Sequence, residues 1–185
     1  MPEPLLPPSQ QLCRHCGLCC DGTLFSRAGL KDGDTDDQLK LAGFTVIDVR
    51  GKRSFAMRCI HHHGDCTIYD RWRPGICGRF ECRLLKRLNA GEISLDEALS
   101  CVDRARRHAD EVRAEMGGAD SNQARNLFEL ATAWTDRVPP GPASAQVALN
   151  HAALTLRLNR DFRGFGGRKD SAAQMSVPMT TSDQE

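Results

Sequence analysis

Apolar positions recur at helical spacing mainly in the second half of the chain. Leu95, Ala98, Leu99, Val102, Ala105, Ala109, Val112 and Met116 fall three and four residues apart, the stripe of an amphipathic helix laid on a core. Ser94 and Glu97 occupy the two positions of a capping box in front of it, and Gly117-Gly118 ends it. Ala124, Leu127, Phe128, Ala131 and Trp134 predict a second helix, capped by Asp120 and stopped by Pro139-Pro140, and Ser144 caps a third reaching about Asn159.

The first half has another texture. Phe44 to Val49 reads as a strand, Arg50-Gly51-Lys52 as a turn and Ser54 to Arg58 as the returning strand, a hairpin that delivers Cys59. From Cys59 to Cys82 the turns Gly64-Asp65 and Pro74-Gly75 interrupt every short segment, so this stretch predicts a loop knot, and Arg83 to Asn89 then predicts a short helix. Pro2, Pro4, Pro7 and Pro8 predict an extended lead-in. Asp32 to Asp37 begins like a calcium loop, but Asp37 stands where glycine is needed and Gly43 where glutamate is needed, which leaves a solvated acidic loop. The expected fold is small α+β. It divides into a lead-in over 1–12, a metal-stabilised cysteine-rich loop knot with a short hairpin over 13–90, about three helices over 91–162, and a disordered polar tail over 163–185.

At 185 residues the chain can bury a core without covalent staples. Its first twelve residues do not make a secretory signal and no stretch approaches a membrane span, so a cytoplasmic location with reduced thiols is expected. Residues 13–90 carry fourteen Lys and Arg against nine Asp and Glu, whereas 91–185 carry eleven against fourteen. A basic half suits nucleic acid, but it equally suits thiolates: eight of them around two divalent ions leave roughly four negative charges to offset. Arg14, Arg58, Arg71, Arg73, Arg79 and Arg83 are accordingly expected to supply counter-charge and N–H donors to sulfur.

Nine cysteines are present, and in a reducing compartment clustered thiols point to metal rather than to disulfides. Cys13, Cys16 and Cys19 repeat the two-residue gap that turns sulfurs toward one ion. Cys20 follows at once, and because adjacent side chains point apart, Cys19 and Cys20 are expected to serve two ions or two irons of one cluster. Cys59, Cys66, Cys77 and Cys82 complete eight metal-ligand candidates, a count that suits two four-thiolate zinc sites or an iron–sulfur cluster with spare ligands. The bacterial ferredoxin spacing fails at Thr23, where its fourth cysteine belongs. His61, His62 and His63 read as a polar turn whose rings face water or the cluster. His15 reads as a neighbour of the ligands, Cys101 as a helix-flank cysteine, and His108 and His151 as structural.

The run Cys13-Arg-His-Cys16-Gly17-Leu-Cys19-Cys20, with Asp21 to Phe25, Cys66 to Tyr69, Arg73-Pro74-Gly-Ile-Cys77 and Phe80-Glu-Cys82, resembles the YkgJ-type cysteine cluster family. That family is described as a zinc- or iron-chelating domain, and the likeness covers about residues 13–90. It implies bound zinc or iron on these cysteines. Relatives usually place arginine directly after the cysteine equivalent to Cys77, where this chain has Gly78 and then Arg79.

Two functions from different classes are expected to compete. One is a metal-binding module, the metal organising the fold, with a redox or metal-handling duty and an unspecified protein partner. The other, carried by the same resemblance, is an S-adenosylmethionine-dependent enzyme similar to the flagellin lysine N-methylases. The chain has no independent glycine-rich nucleotide loop, which favours the first. One Tyr and two Trp offer few stacking positions, which argues against nucleic acid as partner.

Overall fold

The computed structural model describes residues 6–117 and 126–164. Within them lie seven α-helices and one three-stranded antiparallel sheet, a small α+β protein. In chain order they are α1 (Pro8–Cys16), β1 (Arg27–Gly29), α2 (Asp36–Leu41), β2 (Val46–Val49), β3 (Lys52–Ala56), α3 (Gly75–Arg79), α4 (Arg83–Asn89), α5 (Leu95–Glu115), α6 (Leu127–Thr135) and α7 (Pro142–Leu158), closed by a π-helical turn over Asn159–Arg163. Asp120, the expected cap of the second helix, and the tail from residue 165 onward lie outside the described residues.

The predicted hairpin is present as β2 and β3, with Val49 opposite Lys52. Arg50 and Gly51 both take positive φ, 55° and 73°, which gives the two-residue turn the hand that matches strand twist. The Asp48 carboxylate accepts the Gly51 N–H at 2.8 Å. β1, three residues and too short to show alternation in the sequence, adds to the other edge of β3.

Three stretches expected to be irregular contain helices instead: the lead-in (α1), the acidic loop (α2) and, within the Cys59–Cys82 knot, the five residues of α3. Pro8 stands in the first turn of α1, where its fixed φ favours a helix and its missing N–H costs nothing, and Leu12 buries the inner face. The acidic stretch after Asp32 contains a capping box: Thr35 accepts the Gln38 N–H and Gln38 reaches back to Thr35, starting α2. Asp34 is buried rather than solvated, its carboxylate accepting the N–H groups of Lys31 and Gly75 at 2.8 Å each. It therefore holds the Pro74-Gly75 turn that opens α3.

The long helix begins at the expected Ser94–Glu97 capping box. α6 is capped by Asn126, and α7 starts at Pro142, before the expected Ser144 cap; Ser144 accepts the Gly141 N–H from inside the first turn. One large core joins Val102, Ala105, Ala109 and Val112 of α5 to Leu154 and Leu158 of α7, Phe162 of the final turn, and Leu12, Leu18 and Leu24 from the cysteine-bearing segment. A separate small core holds Leu39, Phe44, Phe55 and Met57.

Candidate metal centre

Four separate stretches present the eight cysteines. α1 carries Cys13 and Cys16 one turn apart and ends at Gly17, whose φ of 64° lies in the left-handed region. A Cβ there would stand 2.5 Å from His62 Nε2, so glycine is required both for the turn and for the approach of the imidazole. Leu18, fully buried, pins the turn that carries Cys19 and Cys20, and Leu24 N–H donates back to Leu18 O at 2.9 Å. After β3 the chain returns to this turn, where Cys59 N–H donates to Cys20 O at 2.7 Å. Short bonds then fold the knot: His62 N–H to Cys59 O, Thr67 N–H to His61 O, and a bridge pairing His62 with Cys66. Cys77 lies in α3, and Cys82 caps α4, its sulfur accepting the Leu85 N–H at 3.4 Å.

Electrostatic neighbourhood sorts these thiols into two sets. Cys19 is surrounded by the potential of Cys16, Cys20, Cys82 and Cys13, Cys16 by that of Cys82 and Cys13, and Cys82 by that of Cys13. Cys20 instead feels Cys59, Cys77 and Cys66 before the more weakly acting Cys13, and Cys77 feels Cys59 and Cys66. Cys16, Cys19 and Cys82 thus act on one another together with Cys13, and Cys20, Cys59, Cys66 and Cys77 act on one another, but the two sets adjoin: Cys66 acts on Cys13, and Cys20 acts on Cys19 more strongly than Cys82 does. Among the described residues the side chains do not close further: no three His, Cys, Asp or Glu are grouped so as to hold a metal ion. No cysteine is in a disulfide.

Burial is the main influence on these thiols, pushing Cys13, Cys16, Cys19, Cys20, Cys59 and Cys82 up and Cys77 up to about 12. Mutual repulsion of the would-be thiolates adds to it. Backbone N–H groups aimed at sulfur act the other way, from Leu18 to Cys16, His61 to Cys59, and Leu84 and Leu85 to Cys82. The chemistry of the donor set fits a thiophilic cation, which would replace the thiol protons and relieve the repulsion at once.

Of the six arginines expected to offset the sulfurs, Arg73 acts on Cys13 and Cys77. Its guanidinium lies 4.1 Å from the Tyr69 ring centre, with Arg14 at 5.1 Å from the same centre. Arg14 is engaged by Asp65 at 2.7 Å, and Arg79 folds back onto the carbonyls of Gly75 and Asp32. Arg163, which the sequence did not single out, feels the Cys19 thiol from the final turn and donates to Leu24 O. Its signal is invisible along the chain because 144 positions separate it from Cys19.

The three neighbouring histidines part company. His61 Nε2 lies 2.7 Å from Ala42 O and its ring meets Phe44 edge-on; His63 lines a surface cleft with Tyr69 and Asp70. His62 Nε2 is buried against Gly17 with no hydrogen-bond partner. His15 turns away to Asp103 of α5, 2.7 Å from its carboxylate. Cys101 sits on α5 against the large core, its thiol raised by burial and by Asp161, and no other cysteine acts on it.

No family model matches the chain, and no curated protein or solved structure matches it. No described helix is long and apolar enough to cross a membrane.

Proposed function

We propose that the chain is a metal-binding protein whose eight thiols serve two four-thiolate sites for zinc or iron, each drawing on both the early run and the later cysteines. The observation carrying this reading is that the early run and the later cysteines meet, Cys59 N–H donating to Cys20 O at 2.7 Å and Cys82 acting on Cys16 and Cys19. Adjacent residues cannot easily turn both sulfurs to one ion, and each of the two also has cysteine neighbours at least thirty-nine positions along the chain, Cys82 for Cys19 and Cys59, Cys66 and Cys77 for Cys20. Bound metal would supply the cross-links of the loop knot between Cys59 and Cys82, which has little apolar material of its own. Arg73 offsets part of the thiolate charge, and the N–H groups at Cys16, Cys59 and Cys82 orient those sulfurs. The YkgJ-type resemblance supports the same reading, and the cytoplasm, with its reduced thiols, suits it.

Protein purified without oxygen should carry stoichiometric metal. A colourless zinc form indicates two closed d10 sites, and brown charge-transfer absorption indicates iron–sulfur. Cys19→Ser and Cys82→Ser should lower the metal content while Cys101→Ser leaves it unchanged. Full-length protein that neither contains nor takes up zinc or iron, or equal loss in the Cys101 variant, would overturn the proposal.

A further inference from the structure

A second cluster of charge lies along α5, lined by none of the eight candidate cysteines. Arg104, Arg107, His108 and Glu111 follow one another at three- and four-residue steps on a single face of that helix. With Arg157 of α7 they line an open groove of about 340 Å³. Three guanidinium groups meet one carboxylate there, which leaves an excess of positive charge in a concavity.

Elsewhere on these helices most charges are engaged. Asp103 pairs with His15, Asp110 with Arg113, and Asp161 with Arg160. Glu115 accepts two bonds from Asn150, and Arg106 donates to His15 O. Around the groove this pattern stops. Arg104 donates only to the neutral hydroxyl of Ser100. Arg157 feels the Asp161 carboxylate, whose oxygens Arg160 holds bidentately at 2.6 and 2.9 Å. Among the described residues neither Arg107 nor Glu111 makes a hydrogen bond or ion pair. An ordinary solvated helix face spreads its signs in i,i+4 pairs; this one gathers three cations from two elements around a single hollow.

We propose that the α5–α7 groove is a binding site for a phosphoryl group, held by Arg104, Arg107 and Arg157 with His108 at its wall. Planar guanidinium forks match phosphate oxygens two at a time, and a doubly charged oxyanion relieves the repulsion among the three. Glu111 works against this and sets a preference: a ligand that presents a donor beside its phosphate, such as a hydroxyl, satisfies that carboxylate, whereas a bare anion does not.

The test uses the full metal-replete chain, with metal content checked before and after. Inorganic phosphate and glycerol phosphate are titrated at constant ionic strength, reading the His108 ring resonances, assigned by their loss in His108→Gln. Saturable shifts at His108 are expected, with glycerol phosphate the tighter ligand, and Arg107→Gln or Arg157→Gln should each weaken binding by about tenfold. Arg137→Gln, on an exposed surface away from the groove, should change nothing. Shifts reproduced by sodium chloride at matched ionic strength, or affinities untouched in Arg107→Gln and Arg157→Gln, would overturn the proposal. So would binding of heparin or RNA without saturable phosphate binding, which would mark a diffuse basic face. Because the readout is local to α5, its failure leaves the reading of the cysteines standing, and loss of metal in the Cys19 variant leaves this one standing.

Discussion

The stretch from Met57 to Cys82 and the helical region after it solve the same problem with different materials. In α5 and α7 successive turns contribute Ala98, Val102, Ala105, Ala109, Val112, Leu154 and Leu158 to a continuous core, and burial of that kind supplies most of a domain's stability. From Met57 to Cys82 only Met57 and Pro74 are buried, and apart from the five-residue α3 the chain is turns joined by short backbone bonds. The region from Met57 to Cys82 has no comparable core of its own, and the proposed metal would supply its cross-links. The first cysteine run belongs to both: Leu12, Leu18 and Leu24 sit in the helical core with Cys16 and Cys19 packed against it, while Cys20 packs against the small core beside Cys59. Without metal, therefore, the early run should keep its place and the later cysteines should lose theirs.

Alkaline titration of metal-free protein should expose this contrast most strongly. Burial raises these thiols above 9.0, so the folded state holds their protons more tightly than the unfolded chain does. Their contribution to stability is present below pH 9 and is lost as the pH climbs toward the folded values, about 12 for Cys77. Amide exchange should show residues 57–82 opening first while α5 and α7 stay protected. A single transition in which both regions open together would show that the two are not separable.

Core truncations sharpen the same comparison. Phe162→Ala, which removes the largest fully buried side chain among the described residues, should cost about 4 kcal/mol and lower the urea midpoint of the whole chain. Met57→Ala in the small core should cost about 2 kcal/mol and show mainly as lost protection in β1 to β3. Equal, global effects of the two would mean that the small core is not a local unit.

A smaller effect is expected where the regions are tied. Arg113 of α5 pairs with Asp21 at 3.4 Å and donates to Thr23 Oγ at 2.6 Å. Asn126, fully buried, donates to Met57 O and accepts the Glu129 N–H, and Leu127 N–H donates to Gly22 O. The helices thereby grip the chain just after Cys20 and just before Cys59. Arg113→Met should cost about 2 kcal/mol, given that both partners keep some solvent contact, and should speed loss of metal to a chelator. An unchanged release rate would show that the grip does not position the cysteines.

Much of this was legible beforehand. The capping box at Ser94, the stripe through α5 and the β2–β3 turn are signals contained within a few residues. The Thr35–Gln38 box that starts α2 is equally local, and it overlaps residues that begin like a calcium loop. α1 is not legible along the chain, because prolines in the first turn of a helix look the same as prolines in an extended lead-in until Leu12 has something to pack on.

The sequence by itself determined where thiols cluster, where α5 starts and where the hairpin turns, because each depends on spacing or capping within one segment. Only the tertiary structure decided which cysteines share a set, that Arg73 and Arg163 are the cations beside them, and that His62 buries an unpartnered nitrogen against Gly17. Those relations join residues tens of positions apart, and they exist only once the large core has drawn Leu18 and Leu24 against α5 and the Cys59 N–H has met the Cys20 carbonyl.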